Sequence, residues 1–111
     1  LDYETPYTFW ASTLPVLLFE LREEMDKYLA ARPAPGGPRS LADVVAFNKA
    51  NAAAELRWFG QDLLAKSLTT TDAEAYAKNL ETVRRLTRTE GIDKLLADNN
   101  VTFLVAPTQG P

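Results

Sequence analysis

The side chains that could act as nucleophiles or proton carriers are few, because the 111 residues include neither His nor Cys. This excludes the usual general base, thiol nucleophiles and cysteine-ligated metals within the chain. The serines, Ser12, Ser40 and Ser67, lie at predicted helix starts or at a helix end. None of them lies in a glycine-rich turn, and no histidine is present to activate a hydroxyl. We therefore expect no catalytic residue in this chain.

Paired carboxylates are the next candidates for acid–base chemistry. Four acidic residues at positions 20–26 crowd one predicted helix, but they lie on its polar side. Asp72 and Glu74 fall in the first turn of another predicted helix, where negative charge interacts favourably with the helix dipole. Thr71 and Glu74 also have the spacing of a capping box. Both acidic groups are therefore interpreted as structural or solvent-exposed.

Metal and cofactor sites are not indicated by any spacing. Nothing resembles a calcium loop, and Gly36-Gly37 is followed by Pro38 rather than by the Lys-Ser or Lys-Thr of a phosphate-binding loop. The net charge is −3, and the arginines near position 85 are flanked by glutamates, which is typical of a solvated helix face. We expect no metal, no cofactor and no nucleic-acid partner.

The overall composition is ordinary for a soluble globular chain, with 46% hydrophobic and 24% charged residues. No apolar run approaches the ~20 residues that a membrane helix needs, so no membrane partner is expected. The lack of Cys leaves the redox compartment open, and a cytoplasmic location is favoured.

The elements that would position these residues are predicted to be mainly helical, three to five helices plus one C-terminal β-strand. Residues 1–12 carry four aromatic rings around Pro6 and are predicted to be an extended segment or loop. Residues 13–67 and 71–99 are predicted to form helices, interrupted by a Pro/Gly-rich connector at 32–39.

The first helix is expected to begin near Thr13, with Ser12 or Thr13 as its cap and Pro15 in its first turn. One apolar stripe recurs at spacings of four and three, which favours a core face over a coiled-coil seam. The stripe consists of Leu14, Leu18, Leu21, Met25 and Tyr28. The first turns are apolar all round, so that end is expected to be buried on several sides.

Five residues are assigned structural roles. Ser40 and Asp43 have the spacing of a capping box and are expected to start a second helix. Asn48 is interpreted as a hydrogen-bonded tie from that helix to a neighbouring loop, the alternative being a solvated residue at the helix edge. Gly60 is suited to a left-handed helix cap. Gly91 is expected either to end or to kink the last long helix, at a cost of about 1 kcal/mol relative to Ala.

The last part of the sequence predicts a β-strand. A polar break at 98–100 is followed by a short apolar run at 101–106. A strand of this kind needs neighbouring strands on at least one edge, and no other part of the chain is an obvious partner. The sequence therefore predicts a piece of a larger α/β protein.

Four stretches of sequence, taken in order, resemble a known family. They are LLFELREEMDKYLA, SLADVVAFNKANAAAELRWFGQDLL, AYAKNLETVRRLTRTEGIDKLL and NVTFLVAPTQGP. The first resembles a helix of bacterial and fungal amidases, and the other three resemble the C-terminal part of an amidase signature enzyme. The resemblance implies that residues 1–111 are the C-terminal segment of one large α/β domain with a mixed central sheet. It also implies that the parent enzyme hydrolyses the C–N bond of carboxylic amides with a Ser-cis-Ser-Lys triad.

The same resemblance implies what this chain does not carry. The Gly/Ser-rich signature is absent from the sequence, and no Lys matches the catalytic one, so the chain is expected to be a scaffold that is inactive by itself. Pro107, Thr108 and Gln109 are expected to form a loop near the substrate, because active sites of α/β sheets lie beyond the carboxyl ends of parallel strands. The alternative is a turn fixed by Pro107. Thr102 departs from the family, which often has Asp there.

Two functions are therefore open at this point. In the first, the chain is a scaffold segment whose partners are the remainder of the amidase polypeptide, or a second copy, completing the sheet, with a small-molecule amide as the substrate of the parent. In the second, the chain is a small helical protein-interaction module without catalytic activity. An unpaired terminal strand favours the first function, and one continuous exposed apolar groove favours the second.

Overall fold

The computed structural model describes residues 4–32 and 34–106, and the regular elements of these residues are helices. The helices are α1 (Tyr7–Ala31), α2 (Leu41–Ala50), α3 (Ala52–Glu55), α4 (Asp62–Thr69), α5 (Ala73–Thr87) and α6 (Asp93–Asp98). A kinked turn of π-helical type, Arg88–Ile92, joins α5 to α6. The prediction of a mainly helical chain is confirmed.

Helix α1 begins at Tyr7, so the prediction of extended structure or loop as far as residue 12 is wrong from this point on. Proline disfavours helix in the residue before it, Thr5, but not in the residues after it. Pro6 has φ −58°, which suits the start of a helix. Its carbonyl accepts a hydrogen bond from the Phe9 amide at 2.9 Å.

Ser12 and Pro15 consequently lie inside α1 rather than at its start, and the predicted cap at Ser12 or Thr13 is wrong. The Thr13 hydroxyl instead donates to the Phe9 carbonyl at 2.7 Å. Proline has no amide hydrogen, so Pro15 offers no intrahelical donor to the carbonyl of Ala11.

The core lies where α1 packs against α4 and α5, with α2 packed against α4. It is small: the buried hydrophobic side chains of the described residues are Val16, Leu18, Leu41 and Leu86. The predicted stripe of α1 divides, because Leu18 is 4% exposed whereas Leu14 is 39% and Tyr28 55% exposed.

Polar contacts join the same helices. The buried Ser67 hydroxyl of α4 donates to the Leu18 carbonyl of α1. At the end of α1, an Asp26 carboxylate oxygen accepts from the Leu41 amide at 2.7 Å, which satisfies a free donor at the start of α2. These bonds fix α4 and α2 on α1.

The start of α5 is capped by Asp72, not by the predicted Thr71. The Asp72 carboxylate accepts from the Ala75 amide at 2.9 Å. Both residue types are good caps, and a capping-box spacing alone does not decide between neighbouring candidates.

The terminal segment, residues 101–106, forms no strand in the structure. It leaves α6 through Asn100, which has φ +50°, and the Val101 amide donates to the Leu96 carbonyl at 3.1 Å. A strand requires a second extended segment to pair with, and the regular elements of the described residues are all helices.

Candidate functional site

The chain exposes far more surface than a compact domain of its size. Its radius of gyration is 18.8 Å, against about 13 Å for a compact domain of this length. Its accessible surface is 8731 Å², whereas a compact monomer of this mass exposes about 6,100 Å². The excess of about 2,600 Å² is surface that the packing of the chain itself leaves open.

One side of α1 is apolar and uncovered. Tyr7, Trp10, Leu14 and Leu17 recur at spacings of three and four, which places them on one face of the helix. Their exposed fractions are 84%, 61%, 39% and 56%. We call these four residues the bare face of α1. Because α1 packs against α4 and α5 through other residues, the bare face is free to contact a further element.

A second uncovered group lies in the loop between α3 and α4. Trp58 is 77% exposed and Phe59 is 84% exposed. The Arg57 guanidinium lies 4.7 Å from the centroid of the Trp58 ring, a cation–π arrangement. We call residues 57–60 the aromatic loop.

The end of the aromatic loop is fastened to α2 by side-chain amides. Asn48 Nδ2 donates to Gln61 Oε1 at 3.2 Å, and Gln61 Nε2 donates to the Val45 carbonyl at 3.2 Å. Asn48 thus contacts the residue that precedes α4, and this leaves each amide of the pair with a defined orientation.

Gly60 does not adopt the left-handed conformation predicted for it. Among the described glycines only Gly36 has a positive φ, at +72°. The helix that Gly60 was expected to cap ends earlier: α2 stops at Ala50, and the short α3 ends at Glu55. The loop that follows α3 therefore reaches Gly60 as extended or turn backbone.

Ser40 and Asp43 lie together at the start of α2. The Ser40 hydroxyl accepts from the Asp43 amide at 3.1 Å, and the Asp43 carboxylate accepts from the Arg39 amide at 2.8 Å. The pKa of Asp43 lies below its ordinary value of 3.8. The main cause is the hydrogen bond from the Arg39 amide, and the second is the hydrogen-bonding interaction with the Ser40 side chain.

Gly91 lies at the kink between α5 and α6. It is buried and has non-helical angles, φ −102° and ψ −111°. The bend opens an apolar groove of about 230 Å³, lined among others by Phe9, Leu86, Leu95 and Leu104. The groove brings the start of α1, the kink and the terminal segment together.

Comparison with solved structures identifies what this arrangement is similar to. Over 91% of its length the chain matches the peptide amidase from Stenotrophomonas maltophilia, with a TM-score of 0.82 and 33% sequence identity. The chain resembles part of a peptide amidase. A structure of a peptide amidase in complex with the competitive inhibitor chymostatin matches 84% of the chain, with a TM-score of 0.78 and 36% identity.

The match is confined to a fraction of those enzymes. The chain spans about a fifth of the peptide amidases, 21% of the first and 19% of the second. The resemblance to an amidase segment that the sequence predicts is thereby confirmed. Comparison with protein-family models gives no match, and comparison with curated proteins gives none.

The loop that the sequence predicts near the substrate of a parent amidase, Pro107, Thr108 and Gln109, lies outside the described residues. Within 4–32 and 34–106, the acidic side chains form no group of three that could hold a metal ion. In the same part of the chain no helix combines the length and apolarity needed to cross a membrane.

Two contacts between α1 and α5 have no signal in the sequence. The Phe19 and Tyr76 rings stack with centroids 4.3 Å apart, and the Tyr76 hydroxyl donates to Glu20 at 2.9 Å. This bond raises the pKa of Tyr76 above its ordinary value of 10.0. Glu20 lies at the edge of the predicted polar side of α1, and it accepts this hydrogen bond because α5 packs against α1.

Proposed function

We propose that this chain is a scaffold segment of an amidase and is inactive by itself. The observation that carries the proposal is the match of 91% of the chain to only 21% of a peptide amidase at 33% identity. The uncovered surface supports it, because the bare face of α1 and the aromatic loop are apolar surfaces that a larger fold would bury.

The terminal segment fits the same proposal as a strand of the parent's mixed central sheet. Phe103 and Val105 are 72% and 87% exposed, while Leu104 between them is 38% exposed and lines the apolar groove. This alternation is that of a strand. Among the described residues the amides of 102–106 donate no backbone hydrogen bond, which fits a segment that pairs with a strand of the parent. Pro107, Thr108 and Gln109 would follow as the loop near the substrate.

In this proposal the remainder of the polypeptide supplies the catalytic groups. The family resemblance assigns hydrolysis of a carboxylic amide to a Ser-cis-Ser-Lys triad there, in which Lys acts through the bridging Ser as the base that His supplies elsewhere. The helices of this chain would pack around the central sheet of the parent, and residues 101–106 would form one strand of that sheet. A small-molecule amide is the proposed substrate of the whole enzyme.

A chimera tests the proposal. The segment of the Stenotrophomonas maltophilia peptide amidase that matches this chain is replaced by the chain, and hydrolysis of a peptide amide is measured. We expect the chimera to hydrolyse it and the isolated chain not to. The control is the same enzyme with the segment replaced by a flexible linker. Hydrolysis by the isolated chain, or a chimera no more active than the linker control, contradicts the proposal.

A further inference from the structure

Among the exposed apolar groups, the aromatic loop differs in being followed directly by a residue, Gln61, whose side-chain amide is hydrogen-bonded to α2 at two points. We propose that Trp58 and Phe59 anchor this chain to the rest of the amidase polypeptide by entering an apolar pocket there. The inference rests on the proposed function and goes beyond it, because it names which residues make the decisive contact.

The first argument is preorganisation. The Gln61 side chain bonds to both Asn48 and the Val45 carbonyl of α2, each at 3.2 Å. Gln61 also starts α4, since its carbonyl accepts from the Ala65 amide at 2.9 Å. Fixing the end of the loop in this way reduces the conformational entropy that the loop loses when its side chains are buried in a partner.

The second argument is the chemistry of the two side chains. Trp and Phe bury large apolar areas, and Trp is enriched among the residues that dominate binding energy. Trp58 is held further by the guanidinium of Arg57, 4.7 Å from its ring centroid. Large aromatic side chains that are 77% and 84% exposed and adjacent in sequence gain most from a pocket that removes both from water.

The third argument concerns what fills that role. The peptide amidase that the chain matches has about four fifths of its length outside the match, which is ample polypeptide to form the pocket. An anionic membrane surface is disfavoured because Glu55 and Asp62 flank the loop and outnumber Arg57. A second copy would leave much of the excess surface of about 2,600 Å² uncovered on the bare face and at residues 101–106.

The chimera described above provides the test. We expect Trp58→Ala and Phe59→Ala each to lower the thermal midpoint of the chimera by about 5 °C or more. The midpoint of Trp58→Phe should lie between those of the parent chimera and the Trp58→Ala variant. Tyr28→Ala is the matched control, because Tyr28 is also exposed, at 55%, and also carries an arginine, Arg32, 5.2 Å from its ring. Its midpoint is expected to change by no more than about 1 °C.

The role of the amide pair is a positioning role and has its own readout. Asn48→Ala and Asn48→Asp both remove the donor to Gln61 without touching an aromatic ring. We expect each to lower the midpoint of the chimera by less than Trp58→Ala does, with KM for the amide unchanged. The double variant Asn48→Ala with Trp58→Ala is expected to lose less than the sum of the two, because the pair acts through the loop.

The outcomes separate the two proposals. A chimera that hydrolyses the amide but is insensitive to Trp58→Ala and Phe59→Ala overturns the anchor and leaves the proposed function standing. An equal loss at Tyr28→Ala also overturns a specific anchor. Dimerisation of the isolated chain, or its binding to vesicles of phosphatidylcholine and phosphatidylserine, overturns it if Trp58→Ala abolishes that association. An inactive parent chimera contradicts the proposed function itself.

Discussion

Helix α1 has two apolar sides with opposite surroundings. On one, Val16 and Leu18 are 6% and 4% exposed against α5 and α4. On the other, Trp10 and Leu17 are 61% and 56% exposed. The residue types are alike, so hydrophobicity alone does not distinguish them. The difference lies in what this chain packs against each side of α1, and it supports the proposal that other polypeptide covers the bare face.

A charge on the bare face of α1 is expected to have the largest effect on the folding of the chimera. In the chimera, Leu17→Asp would place an unpaired carboxylate in a buried apolar contact, at a cost of several kcal/mol, about enough to prevent folding. In the isolated chain the same residue is 56% exposed, and we expect its helix content to stay nearly unchanged. Soluble yield and amide hydrolysis of the chimera, with circular dichroism of the chain, measure the two effects.

Leu17→Met is the control for that substitution, since it keeps an apolar side chain of similar volume and should leave both proteins intact. A chimera with Leu17→Asp that folds and hydrolyses the amide as the parent does would mean that the bare face stays in water. The two sides of α1 would then differ for a reason other than a missing cover.

The adjacent leucines Leu17 and Leu18 sharpen the comparison within the isolated chain. Leu18→Ala removes a side chain that is 4% exposed, so we expect a loss of about 2–5 kcal/mol. Leu17→Ala removes one that is 56% exposed, and its effect should stay within about 0.5 kcal/mol. Urea unfolding followed by circular dichroism measures both. Equal losses would contradict the division of α1 into a covered and a bare side.

Local signals account for the part of the fold that the sequence predicted. The Pro/Gly-rich connector separates α1 from α2, and the polar run near Thr70 separates α4 from α5, because both compositions oppose helix. Gly91 interrupts the last helical stretch for the same reason. The start of α1 differs from the prediction because a proline restrains only the residue before it, so the residues after Pro6 can begin the helix.

The remaining features depend on contacts between distant residues. The Tyr76 hydroxyl donates a hydrogen bond to Glu20, 56 positions away in the sequence, and the Leu41 amide donates one to Asp26, 15 positions away. No periodicity encodes such pairs. The apolar stripe of α1 was assigned to one core face for a related reason: spacing places residues on a face of a helix, but it does not say which face this chain covers itself.

The smallest expected effect concerns the cap of α2, where the polar groups find their hydrogen-bond partners within the chain itself. Ser40→Ala removes the acceptor of the Asp43 amide and should cost about 1 kcal/mol.

The pKa of Asp43 is lowered in the folded chain, so its contribution is fully present above the ordinary value of 3.8 and is lost as the pH falls through the lower folded value. Asp43→Asn should therefore flatten the loss of stability as the pH falls below about 3.8. Urea unfolding of the isolated chain above and below that pH measures this. An unchanged pH dependence in Asp43→Asn would show that the bond from the Arg39 amide to the Asp43 carboxylate does not stabilise the start of α2.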